Sequence, residues 1–183
     1  MPGVFFQDTM KPRTLFSTPL WLAFLVLCAA LAPLLLSALA RRDLPKTLGP
    51  LALVQDVGGN DARLLVGQIH GKDVGAGENR VGFYECQSGK AALYRTVFSS
   101  RQGADSSGRA MADRIVQGSP VFSHYRAITL DGRLVSMCIG LGQVHFFYSE
   151  GRHLSWLAVD ALVAEPAILA LLRHDRRLLI PWE

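Results

Sequence analysis

FSHYRAITLDGRLVSMCIGLGQVHFFYSEGRHLSWLAV, residues Phe122–Val159, is the stretch whose punctuation decides the fold. Asp131-Gly132 is a strong hairpin signal, because both central positions of the favoured two-residue turn need positive φ. Gly140-Leu141-Gly142 and Glu150-Gly151 repeat the break at similar spacing. The segments between them, 122–130, 133–139, 144–149 and 153–159, are rich in β-branched and aromatic residues and read as a meander of antiparallel strands. Alternation places Val144, Phe146 and Tyr148 on one face, and lets Leu154, Trp156 and Ala158 share a face of the next strand. Phe147 falls opposite Phe146 and Tyr148. Either that strand is buried on both sides, or part of the cluster Phe146, Phe147, Tyr148 and Trp156 is an interaction surface.

Upstream, 81–86 and 91–99 form a second hairpin through Gln87-Ser88-Gly89-Lys90. Residues 104–117 read as a helix capped by Asp105 or Ser106, with Met111, Ile115 and Val116 as its apolar stripe and Gly118 as its stop. Residues 51–57 and 63–69 read as short strands separated by Gly58-Gly59-Asn60-Asp61, and 70–79 (HGKDVGAGEN) as a glycine-rich loop. A final helix is expected over 164–174, with Pro166 in its first turn and Arg173 and His174 at its carboxyl end. The expected fold class is therefore α+β: a small antiparallel sheet over 50–183 with two helices packed on one sheet face.

Ahead of this domain lies LFSTPLWLAFLVLCAALAPLLLSALA, Leu15–Ala40, without a single charge. A bilayer core of about 30 Å takes roughly 20 apolar residues in a helix. The layout is thus a tail over 1–18, a transmembrane helix over 19–40 anchored by Trp21, Phe24, Leu27, Leu31 and Leu35, and a connector over 41–49. Ala38-Leu39-Ala40 has the small-x-small form of a signal-peptidase site. The run is longer than the ~7–15 residues of a signal h-region and follows an extended leader, so retention is expected over cleavage. Lys11 and Arg13 on one flank nearly balance Arg41, Arg42 and Lys46 on the other. The expected arrangement puts the amino terminus in the cytoplasm and the domain outside, at a bacterial inner membrane, with the bilayer itself as one partner.

Charge excludes one class of partner. Of 19 Lys and Arg, 17 lie beyond Ala40, against 14 of the 15 Asp and Glu, and the two signs are interspersed. Nucleic-acid binding needs a clustered basic face, which this spread does not provide. Cys86 and Cys138 both fall in strand-like segments. They could form a disulfide if their Cα atoms come within about 7 Å, and two buried thiols are the alternative.

No catalytic, cofactor or metal residue is assigned. His70, His124, His145, His153 and His174 match no helix-borne HExxH pair and no CxxCH haem site. His145 and His153 flank one hairpin and could approach across it. Serine occurs without a GxSxG elbow, and Cys138 sits between Met137 and Ile139, a setting that makes a thiol inert. Gly140-Leu141-Gly142 leads into a strand rather than a helix, so it reads as a turn and not a phosphate cradle. No small-molecule substrate is identifiable, and the enzyme reading, a hydrolase, ranks last.

Leu44-Pro45 and Leu48-Gly49 after the apolar run, and ALYRTVFSSRQGA at 92–104, are where the chain resembles the exosortase-associated accessory proteins. The resemblance covers well under half of the chain and carries over no functional residue. It implies an envelope accessory protein with one amino-terminal span. The expected function is an accessory, assembly or scaffolding subunit of a larger membrane complex, acting by protein binding to an integral-membrane partner. A ligand-sensing domain, with its pocket between the meander and the 70–79 loop, is the alternative.

Overall fold

Positive backbone φ at Asp131 (49°) and Gly132 (76°), and again at Leu141 (51°) and Gly142 (77°), closes two tight hairpins in the carboxyl half of the chain. The structure, a computed structural model, describes residues 44–70 and 77–179. In chain order the strands are β1 (Thr47–Leu48), β2 (Leu51–Gly58), β3 (Glu78–Cys86), β4 (Gly89–Val97), β5 (Phe122–Leu130), β6 (Arg133–Gly140), β7 (Gln143–Glu150) and β8 (His153–Val159). The helices are α1 (Gly59–His70), α2 (Arg101–Val116) and α3 (Ala164–Leu179), the last entered through a 3₁₀ turn at Ala161–Val163. All eight strands form one curled antiparallel sheet in the order β1-β2-β3-β4-β8-β7-β6-β5. Two four-stranded meanders thus meet only where β4 pairs with β8, Ala91 opposite Val159 through Val97 opposite His153.

Each face of the sheet has its own core. Leu93, Tyr84, Phe146, Tyr148, Leu157 and Val135 pack against Ala167, Ile168, Leu171 and Leu172 of α3. On the other face Phe147, Trp156 and Cys138 pack against Ile115 of α2, and Val81 packs against Ala62 and Val66 of α1. Burying both faces requires strands that are apolar on both sides, and β8 (HLSWLAV) is buried from Leu154 to Val159.

This architecture corrects the expected fold class in three respects. Three helices, not two, flank the sheet, and they lie on both faces rather than one. Residues 63–69 are not a strand but the body of α1, because Ala62, Leu65 and Val66 at helical spacing cover the sheet while Asp61 sits favourably in the first turn. No helix among the described residues is long and apolar enough to cross a membrane. The tail, the run 19–40 with Trp21, Phe24, Leu27, Leu31 and Leu35, and the 71–76 part of the glycine-rich loop lie outside the described residues. Smaller adjustments follow from local chemistry. Helix α2 is capped by Ser100, whose hydroxyl accepts from the Gly103 amide at 3.1 Å, rather than by Asp105 or Ser106.

A buried polar triad locks α3 across the join of the two meanders. The Arg95 guanidinium on β4 donates to Asp175 Oδ1 at 2.6 Å, and the Tyr148 hydroxyl on β7 donates to Asp175 Oδ2 at 2.6 Å. Arg95 and Tyr148 both lie opposite Ser155 of β8 in the register, one on each side of it. Serine there is small enough to let the α3 carboxylate settle over β8 between its two donors. Burial, with the Asp175 carboxylate beside it, holds the Tyr148 hydroxyl firmly protonated. The Arg95 side chain is fully buried and that of Asp175 is 3% exposed, so loss of either partner strands a charge in the core. Asp175→Ala is expected to lower the unfolding free energy of the full chain by about 3–5 kcal/mol. Tyr148→Phe, which removes one donor and leaves the ion pair, should cost about 1–3 kcal/mol. Denaturant titration of both variants checks the order as well as the size.

Candidate functional site

The four aromatic residues singled out in the sequence are core. Phe146, Phe147, Tyr148 and Trp156 are each 5% exposed or less, with Phe146 and Tyr148 under α3 and Phe147 and Trp156 under α2. The expected interaction surface is corrected accordingly: β7 is buried on both sides, so neither set presents a face to a partner. Phe147 and Trp156 stack with centroids 4.9 Å apart and planes 7° apart, and Phe122 abuts Trp156 at 5.3 Å.

His145 completes this aromatic cluster. The Trp156 indole N–H donates to His145 Nδ1 at 3.0 Å, which leaves Nε2 to carry the proton and donate to the Gly140 carbonyl at 2.9 Å. Both ring nitrogens are therefore satisfied in the neutral tautomer. Burial pushes the imidazole below its usual 6.5, only partly opposed by the Gly140 carbonyl. His145 lies opposite Ala158 and His153 opposite Glu150, at the two ends of the β7–β8 hairpin, so these histidines do not approach each other. Among the described residues no group of three metal-ligating side chains converges.

The cysteines do not pair. Cys86 packs on the α3 face and Cys138 on the α2 face, and both are free thiols. The sheet itself separates them. Burial raises the Cys138 thiol to about 11, which removes it from nucleophilic chemistry.

What the sequence did not mark is an open cleft of about 620 Å³ beside α2. Arg101, Asp105, the adjacent pair Gly108 and Arg109, and Ala112, at steps of three or four residues, form one stripe of α2 and line one wall. Tyr125 of β5, Leu134 and Ser136 of β6, and Phe147 and Ser149 of β7 supply the sheet side. Ser149 Oγ donates to Asp105 Oδ1 at 2.6 Å, and Arg101 approaches the same carboxylate at 3.6 Å. Tyr125 and Ser136 share a hydroxyl–hydroxyl bond of 3.1 Å. Arg109 is exposed and has no ion pair among the described residues, and Leu134 is 72% exposed. No histidine or cysteine lines the cleft, and the Ser149 hydroxyl is a donor to a carboxylate without an imidazole between them. That arrangement lacks the base needed to make serine a nucleophile. It offers instead a guanidinium, an apolar shelf and fixed hydroxyls, the mixture found where proteins bind other chains.

The chain matches no protein-family model and no curated protein, so the stretches at 44–49 and 92–104 carry no family's residues into the cleft. A sequence signal for the cleft existed in Arg101, Asp105 and Arg109, a charged stripe on a helix whose other side is apolar. Such a stripe ordinarily faces solvent, and only the path of β5 and β6 beside it turns it into a wall.

Neutral His145 makes a pH prediction with a definite sign. Its folded-state pKa lies below the unfolded value, so its contribution to stability is complete above about pH 6.5 and is lost as pH falls below that. Melting temperature should therefore drop between about pH 7 and pH 5. His145→Gln should lower stability at neutral pH and flatten that decline, as read by thermal melts of both chains across the range.

Proposed function

We propose that the chain is a membrane-tethered binding subunit, acting in assembly or scaffolding of a larger complex, whose domain grips a protein partner in the cleft beside α2. The cleft carries this reading. It is open, and its hydroxyls are already engaged in hydrogen bonds. Its unengaged features are the Arg109 guanidinium and the exposed Leu134 side chain. An anchoring apolar contact beside an exposed cation suits a segment of polypeptide with an apolar side chain next to a carboxylate. The uncharged run ahead of residue 44 supports an address at the inner membrane, and this reading takes the domain to lie on its outer side. An integral-membrane protein within reach of that tether is the partner this reading calls for.

The test is crosslinking and pull-down of the full chain from mild detergent, with Arg109→Glu and Leu134→Asp as variants. Both positions are exposed, so stability should change by no more than about 0.5 kcal/mol. Captured partner is expected to fall at least tenfold in each variant, about 1.4 kcal/mol of binding. Capture unchanged by both substitutions, with melting temperature intact, would remove the cleft as the binding site.

A further inference from the structure

Five exposed large apolar side chains gather at one end of the sheet: Val116 (64% exposed), Val121 (45%), Ile139 (43%), Leu141 (75%) and Leu162 (85%). Hydrogen bonds draw the turns that carry them together. Asp160 accepts from the Lys90 amide at 2.9 Å and from the Gln143 side chain at 2.9 Å, which ties the β3–β4 turn and the β6–β7 turn to the start of the 3₁₀ turn. Leu141 and Leu162 flank that clip in sequence. Gly140 packs so close to Phe122 and the Val121 carbonyl that a Cβ there would lie 2.4 Å from the Phe122 ring, so the start of β5 belongs to the same end. Soluble surfaces scatter such residues singly; a cluster on adjoining turns marks a surface that is covered.

The chain joins the domain at this end. Leu48 pairs with Leu51 at the foot of β2, and Gly49, at φ +60°, lies where a Cβ would come within 2.9 Å of Pro166 in the first turn of α3. Upstream of Leu44 only Arg41, Arg42 and Asp43 separate the domain from Ala40, the last residue of the uncharged run. A smaller apolar cavity of about 250 Å³, walled by Met111, Ile115, Pro120, Phe122 and Trp156 with Arg114 beside them, belongs to this end too. Exposed Lys46, Lys90 and Arg114 are cations suited to phosphate headgroups, with Glu85 and Glu165 also present.

We propose that this end of the sheet rests on the bilayer, with Leu141, Leu162, Val116, Val121 and Ile139 dipping into the headgroup layer at the same end of the strands as β1, where the chain enters the domain. The proposal rests on the membrane address given above and adds to it an orientation of the domain on the lipid. The chemistry is that of an interfacial surface, apolar tips with Lys46, Lys90 and Arg114 at the same end beside the carboxylates of Glu85, Asp160 and Glu165, and it needs no second span.

The experiment uses the full chain in phosphatidylglycerol–phosphatidylcholine vesicles. Leu141→Cys and Leu162→Cys report on the proposed contact, and Leu64→Cys and Arg152→Cys serve as exposed controls elsewhere on the domain. Each carries an environment-sensitive fluorophore, with labelling of the unsubstituted chain subtracted. Flotation is measured first, then quenching by lipid-borne nitroxide and by aqueous iodide. Lipid quenching several-fold stronger at 141 and 162 than at 64 and 152, with the reverse order for iodide, is the expected result. If the chain floats and all four labels are equally open to iodide, the lipid contact is overturned and the membrane address stands. If labels at 141 and 162 are shielded from both quenchers, protein covers this end and the proposal fails. A chain that does not float overturns the address and the orientation together.

Discussion

Asp175, held between Arg95 and Tyr148, is the constraint on which the rest of the domain depends. The two meanders share a single strand pairing, β4 with β8, and nothing in local turn chemistry fixes how the second meander lies against the first. Arg95 comes from one meander and Tyr148 from the other, and each donates to a different oxygen of the same carboxylate. The carboxylate arrives on α3, the last element of the chain, over Ser155, the residue that lies opposite both. A buried ion pair gives little net stability over a well-packed apolar substitute. In the observed seating of α3 both charges are paired, and that seating joins both halves.

Once α3 closes one face, the other must be covered by what remains. Helix α1 covers β3, where Val81 meets Ala62 and Val66. Helix α2 lies over β7 and β8 and seals the His145–Trp156–Phe147 cluster. The sheet is wider than these two helices. Tyr125, Ser136 and Leu134 on β5 and β6 are left beside α2 rather than beneath it, and the cleft is the result. Its walls are polar because they are the flank of a surface helix and the outer margin of a core. Their hydroxyls bond to one another or to Asp105, while Arg109 and Leu134 stay exposed.

The hairpins were legible in the sequence because turn chemistry is local. Asp131-Gly132 and Gly140-Leu141-Gly142 announce positive φ within three residues, and strand alternation between them follows from period two. Helix α1 was hidden for a related reason. Gly58-Gly59-Asn60-Asp61 carries the same residues a hairpin turn uses, and RLLVGQI is too short to separate a helical stripe from a strand without its flanks. Arg95 and Asp175 stand 80 residues apart, and charged residues are ordinarily solvated, so nothing in the chain marks them as partners. The aromatic cluster was visible as a cluster, with burial on both sides left open as one of its two readings. The cover on its second face comes from α2, and the cleft beside it needed β5 and β6 to be placed.

The two ends of the sheet differ in a way that gives the proposed tether and the proposed cleft compatible positions. Helix α2 begins with Arg101 in the cleft wall and ends with Val116 among the exposed apolar residues. Its 16 residues span about 24 Å. The end carrying the β5–β6 and β7–β8 turns holds Asp131, Arg133, Glu150 and Arg176, paired as Arg133 with Glu150 at 3.1 Å and Arg176 with Asp131 at 2.9 Å. The opposite end carries leucine and valine on its turns. An antiparallel sheet alternates its turns between two ends, and the exposed apolar residues are more numerous at the end carrying Leu141 and Leu162. If the apolar end lies on lipid as proposed, the cleft runs along α2 from Ala112, about one turn from Val116, out to Arg101 at the end of the helix away from the headgroups.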